Sequence, residues 1–131
     1  MSCDRGAAAP LLLAVAALTM LLAVGIGDVG LIIAGKYQAA AAADAAALAA
    51  APVTFRPFGA TDGPVQEAAR FAAMNGASVV VCRCKTDRSW RQRTVEVVVE
   101  HAVHLIGGME VTVQARSTAE FAPLALLKSN K

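Results

Sequence analysis

Ala7–Gly27 reads AAAPLLLAVAALTMLLAVGIG, and the chain continues through Asp28 and VGLIIAG (Val29–Gly35) to KYQAAAAADAAALAAA (Lys36–Ala51). The first segment holds 21 residues with Thr19 as its single polar side chain. As a helix it extends about 31 Å, close to the thickness of a bilayer hydrocarbon core. A helix apolar on every side is stable in water only when surrounded, and the roughly 80 residues beyond Ala51 are too few to surround it. A membrane helix is therefore expected. Pro10 falls in its first turn, where a missing N–H costs little, and Arg5 ahead of the span favours a cytoplasmic N-terminus with the rest of the chain outside. A cleaved signal peptide has a similar order of parts, but its apolar run is usually about 7–15 residues long. Here the run is longer and passes into the alanine stretch without a polar break. Alanine is the best helix former, so one helix from about residue 8 to residue 50 is predicted, stopped by Pro52.

The chain of 131 residues has the length of one domain. Only 17% of it is charged, against about a quarter in ordinary soluble domains, and the apolar excess is concentrated in the first part. The reading divides the chain into a transmembrane anchor with its alanine-rich helix, residues 1–51, and a small extracytoplasmic α+β domain, residues 52–131. Their net charges are −1 and +3. Neither suggests the dense basic face of a nucleic-acid binder. Asp28 stands near the outer end of the span, where a carboxylate inside hydrocarbon would cost roughly 2.5–3.5 kcal/mol. It either pairs with a basic group on a neighbouring helix in an assembly or marks the lipid–water boundary. Tyr37 and Asp44 share a helix face, and Leu48 follows Asp44 by one turn. Eleven of the thirteen residues Ala39–Ala51 are alanine. So thin a helix can be approached closely by other helices, can pack on the protein's own sheet, or can do both.

Beyond a Pro- and Gly-bearing loop at 52–61, TDGPVQEAARFAAMNG predicts a helix of about three turns. Thr61 or Asp62 caps it, Pro64 lies in its first turn and Asn75-Gly76 ends it. Val65, Ala68, Ala69, Ala72 and Ala73 form its apolar face, flanked by Phe71 and Met74. From Arg93 the odd positions are Val95, Val97, Val99, His101, Val103 and Leu105; from Met109 they are Val111, Val113, Ala115, Ser117, Ala119 and Phe121. Two half-buried antiparallel strands follow. Facing residues must share a side of the sheet, so the connection must hold an odd number of residues. Ile106-Gly107-Gly108 as the loop pairs Leu105 with Met109 and Val103 with Val111. Ala77–Lys85 supplies a third strand, with Val79, Val81 and Arg83 on one side and Val80, Cys82 and Cys84 on the other. Thr86–Gln92, carrying Trp90, joins it to the second. The fold class is α+β: a long N-terminal helix, a short helix and a small three-stranded antiparallel meander.

Chemistry is sparse. Three cysteines make no disulfide framework, and Cys3 would lie across the membrane from Cys82 and Cys84. Those two share a strand face, as a disulfide, a thiol pair or plain strand residues. His101 and His104 point to opposite faces of a strand, so they cannot join one zinc site. Arg83, Lys85, Arg88, Arg91 and Arg93 form a basic cluster opposed by Asp87, suited to lipid headgroups, an acidic partner surface or simple solvation. No Gly-rich phosphate loop, catalytic carboxylate pair or nucleophile–base couple stands out. No enzymatic activity, cofactor, metal or small-molecule substrate is expected.

The order of parts carries a family likeness. An apolar span, Asp28-Val29-Gly30, then Gln38 and Ala42-Ala43-Asp44-Ala45-Ala46-Ala47-Leu48-Ala49 resembles the TadE/TadG-like proteins of tight-adherence (Flp-type) pilus systems. The later EAARFAAMNGASVVVCRC and TVEVVVEH resemble small actinobacterial members of that family. The resemblance implies a membrane-anchored, pseudopilin-like minor component of a pilus or related secretion machine, with other pilin-like or secretion-system subunits as partners. Asp28, Gly30, Tyr37, Gln38, Asp44 and Leu48 are then the candidate span and assembly residues. Prepilin peptidase substrates of this kind carry a glutamate five residues after the cleavage glycine. Counted from Gly6, that place holds Leu11, which favours permanent anchoring. The competing expectation is a secreted binding module, freed by a cut near Ala39–Ala51.

Overall fold

The computed structural model describes residues 8–55 and 62–128. Cys3, Arg5, Gly6 and the proposed cap Thr61 lie outside them. The element order is α1 (Ala8–Val53), α2 (Pro64–Met74), β1 (Ser78–Arg83), β2 (Arg93–His104), β3 (Glu110–Phe121) and α3 (Pro123–Lys128). The class is α+β, with a single antiparallel sheet in the order β1-β2-β3.

α1 is continuous over 46 residues, about 69 Å. Pro52 sits in its last turn, where the ring displaces the bond to the carbonyl four residues back. The helix ends one residue later. Its two halves have opposite environments. From Ala9 to Ile26 every residue is exposed, whereas Ala39, Ala42, Ala43, Ala46, Ala47 and Ala50 are fully buried. That spacing is one helical face, and it rests on β2, β3 and α2. Bulk comes from the sheet: Val95, Val97, Val99, Val103 and Val113 fill the space the alanines leave. Large residues facing small ones let the helix sit close without voids. The folded unit therefore includes the alanine half of α1, and the packing does not divide at residue 51.

β2 and β3 pair in the expected register, with Val103 opposite Val111 and Arg93 opposite Phe121. The Leu105 N–H donates to the Met109 carbonyl at 2.8 Å, closing the three-residue loop. Gly108, at φ +78°, supplies the left-handed residue such a loop needs. Val95, Val97, Val99, Val103, Val113 and Ala119 point inward, and every even position of β3 is exposed.

β1 departs from simple alternation. A bulge between Val79 and Val81 shifts its register, so Val79 faces Val99 while Cys82 faces Val97. The extra residue moves Val81 out of step with Val79. Val80 and Val81 are both exposed, and Cys82 and Cys84 turn to the core.

α2 has the expected bounds and ends at Asn75, followed by Gly76 at φ +72°. Its N-cap is Gly63, with no side-chain cap, so Asp62 does not serve that role. Its buried face is Pro64, Ala68 and Ala72; Val65, Ala69, Ala73 and Met74 are exposed and Phe71 is half-buried. The inward stripe is narrower than expected because α2 rests mainly on the single helix α1, which covers about one residue per turn. α3 is a short helix that the strand pattern gave no sign of. Pro123 opens it and is buried, while Leu124, Leu126 and Leu127 are exposed.

Candidate functional site

Two ends of the fold hold the chemistry-bearing residues, and α1 connects them. The β2–β3 hairpin lies along α1, and the lengths match. Twelve strand residues span about 40 Å, and Asp28 to Val53 spans about 38 Å of helix.

At the hairpin end, Asp28 is half-buried and its Oδ1 accepts the Ile106 N–H at 2.8 Å. Within this chain its partner is a backbone amide of the hairpin rather than a basic side chain. Gly35 allows close approach. A Cβ on Gly27 would stand 2.6 Å from Ile106 Cδ1, and one on Gly35 would overlap Val103 Cγ2. Further along, Gln38 Nε2 donates to the Asn75 carbonyl at 3.4 Å, and His101 Nδ1 lies 2.7 Å from the Gly76 carbonyl. Gln38 thus ties α1 to the end of α2.

Gly30, Tyr37, Asp44 and Leu48 share the opposite, exposed face of α1, with Tyr37 75% and Leu48 67% accessible. A Cβ at Gly30 would meet nothing within 4 Å. The six candidate residues of the helix therefore separate. Asp28 faces the hairpin, Gln38 reaches α2, and four form an outward stripe. Nearer the start of the helix, Leu21, Leu22, Gly25, Ile26 and Val29 line an open apolar groove of about 330 Å³. By length and composition α1 is able to cross a membrane, and its most apolar window is wholly unburied.

The basic cluster occupies the other end, beside the C-terminus of α1. Arg93 organises this loop. Its guanidinium donates to the carbonyls of Thr54, Asp87, Ser89 and Arg91 and lies 5.4 Å from the Phe55 ring centroid. A planar fork with five donors suits four carbonyls, and a cation is favoured where a helix ends. Thr54 is fully buried, its hydroxyl donating to the Ala51 carbonyl at 2.6 Å, and its own carbonyl takes the Asp87 N–H at 3.0 Å. Phe55 packs edge-on against Trp90 at 4.8 Å and lies 6.2 Å from Phe121. Asp87 accepts both the N–H and the hydroxyl of Ser89, at 2.9 and 2.6 Å. These bonds, the hydroxyl first, hold its carboxyl below the ordinary aspartate pKa, with help from the Arg93 and Lys85 charges.

Of the five basic candidates, Arg93 is thus committed to loop structure. Arg83 pairs with Glu96 at 3.4 Å on the outer face of the sheet, where Arg116 also reaches Glu96 at 3.2 Å. Lys85, Arg88 and Arg91 are exposed. Arg83, Lys85, Thr86, Asp87, Arg93 and Thr94 line an open groove of about 420 Å³. Its lining sets three basic side chains beside the Asp87 carboxylate.

Cys82 and Cys84 form a disulfide. Half-buried Cys82 and buried Cys84 lie on the core side of the sheet. His101 faces inward, whereas His104 is exposed beside Glu110, 3.3 Å away. Among the described residues no group of three or more His, Cys, Asp or Glu is placed to hold a metal ion. The sequence reading missed Gly27 and Gly35, and the contact of Ile106 with Gly27 and Asp28, which set the hairpin against α1. The one available signal was a loop, Ile106-Gly107-Gly108, flanked by Leu105 and Met109 instead of polar residues. No family model, curated protein or solved structure matches the chain.

Proposed function

We propose that this protein is a membrane-anchored, pseudopilin-like minor subunit of a tight-adherence (Flp) pilus or related secretion system, acting by helix packing within an assembly. The observation that carries the reading is the division of α1. One half is apolar and exposed on all sides, and the other is the core of a small domain. An exposed helix of that composition is stable in lipid and unstable in water. The outward stripe of Gly30, Tyr37, Asp44 and Leu48 supports lateral contact with other helices. Small residues admit a neighbouring helix at close range, and Tyr37 and Leu48 supply contact area. The orientation has the N-terminus in the cytoplasm and the domain outside, which agrees with a disulfide at Cys82–Cys84. No enzymatic step is part of this function. The basic loop stands about 38 Å along α1 from Asp28, several Debye lengths from the lipid surface at physiological salt. Its exposed cations suit an acidic partner surface better than headgroups.

Release as a soluble module is compatible with this packing only if the cut falls ahead of Gly27. A cut within Ala39–Ala51 would remove the buried face of α1.

Photo-crosslinking from Tyr37 and Leu48 in intact cells, with Gln114 on the outer sheet face as the reference position, tests the proposal. The expected result is a crosslink from the helix positions to a pilin-like or platform subunit. A full-length chain that stays monomeric in the membrane, or that is freely soluble with its apolar stretch attached, refutes it.

A further inference from the structure

We propose that the β2–β3 hairpin tip, Leu105–Met109, is a second membrane contact that rests in the interfacial layer of the bilayer beside α1. The proposal rests on the anchored reading above. Its first support is height. Ala9–Ile26, the continuously exposed apolar stretch, covers about 27 Å of helix, which nearly fills a hydrocarbon core of about 30 Å. Gly27 and Asp28 then stand at the lipid–water boundary, and those are the residues that meet Ile106.

The second support is composition. Exposed hairpin loops ordinarily carry polar turn residues. This one presents Ile106 and Met109, 60% and 64% exposed, around two glycines, with no charge between His104 and Glu110. The third is the backbone. The N–H groups of Leu105, Ile106 and Gly108 are satisfied by Met109, Asp28 and Leu105. A loop entering a water-poor layer is favoured when its amides are settled internally, and Asp28 settles that of Ile106. Asp28 therefore fixes the depth of the tip, and Ile106 and Met109 provide apolar surface continuous with that of the helix.

The test uses the full chain with Trp90→Phe, reconstituted in phosphatidylcholine vesicles containing lipids brominated on their acyl chains. Single tryptophans are placed by Met109→Trp or by Gly107→Trp, where a side chain meets open space. Leu13→Trp marks the span, and the parent with Trp90 marks the far end. The expected result is strong quenching at Leu13→Trp and none at Trp90. Both tip reporters should be blue-shifted and quenched, most by lipids brominated nearest the headgroup. If Leu13→Trp is quenched while both tip reporters behave like Trp90, the tip contact is wrong and the anchor stands. If Leu13→Trp is unquenched, the anchored reading fails and the tip contact fails with it.

Discussion

Gly35 is where the hairpin seats on α1, and replacing it tests that contact quantitatively. In a helix interior, Gly→Ala ordinarily stabilises by about 0.8–1.0 kcal/mol. Here the new methyl would overlap Val103 Cγ2, with Val103 Cβ at 3.6 Å and His101 Cδ2 at 3.7 Å. Val103 is 6% exposed, and a β-branched side chain has few other rotamers to adopt. Overpacking of this kind costs about 1–3 kcal/mol, so Gly35→Ala is expected to destabilise by roughly 1 kcal/mol net. Val103→Ala alone removes two methyl groups and should cost about 2 kcal/mol. With Cγ2 gone, however, Gly35→Ala recovers its helix gain of about 1 kcal/mol. The sign of the glycine substitution therefore reverses between backgrounds, a coupling of about 2 kcal/mol. Thermal unfolding of the full chain in detergent, read by Trp90 fluorescence, provides the assay. Helical circular dichroism is less suitable, since the apolar half of α1 stays helical in a micelle. Each kcal/mol moves the midpoint by about 4–8 °C for a domain of this size. If Gly35→Ala raises the midpoint equally in both backgrounds, the hairpin does not seat on Gly35 and the argument fails.

Arg93→Lys should cost about 2 kcal/mol, because one ammonium cannot reach four carbonyls; a midpoint unchanged within error would show the loop does not depend on that fork. Asp28→Ala should speed amide exchange at Ile106, while Asp28→Asn, which keeps an acceptor oxygen, should stay near the parent rate; equal rates in both variants would separate Asp28 from the hairpin. Asp87 should titrate below the ordinary 3.8, so its contribution to the loop is present above the unfolded pKa and is lost as pH falls through the folded one. Carboxyl NMR should find that midpoint rising toward 3.8 in Ser89→Ala. Alkylation without reductant should leave Cys82 and Cys84 unmodified while Cys3 reacts. Replacing both with serine should cost only about 1.5 kcal/mol, because so short a loop restrains the unfolded chain little.

The sheet was readable wherever one face is buried and the other wet. From Arg93 to Phe121 the alternation runs over twelve residues in each strand, enough to leave one register despite Val97-Val98-Val99, and parity then requires the three-residue loop. α1 was readable because alanine and leucine leave no break before Pro52. β1 was not. Val79-Val80-Val81 offers valine to both faces, so nothing in the string marks the bulge, and the faces of Val81 and Cys82 came out exchanged. The alanine stretch fixed a helix but not its partner, since a methyl-lined face fits a sheet and another helix equally well. Asp28 shows the same limit. A lone carboxylate at the end of an apolar run suggests charge pairing, but its partner, the Ile106 amide, lies 78 residues away and depends on the hairpin length.

The unbroken run of α1 has a mechanical consequence. Its C-terminal half is the core of the domain, so there is no swivel between that domain and the exposed apolar half. On the anchored reading the whole molecule moves as a lever. A lean of about 20° from the bilayer normal carries the Trp90 loop sideways by about 13 Å. Neighbours that set the lean of this rod would thereby set where its far end can reach.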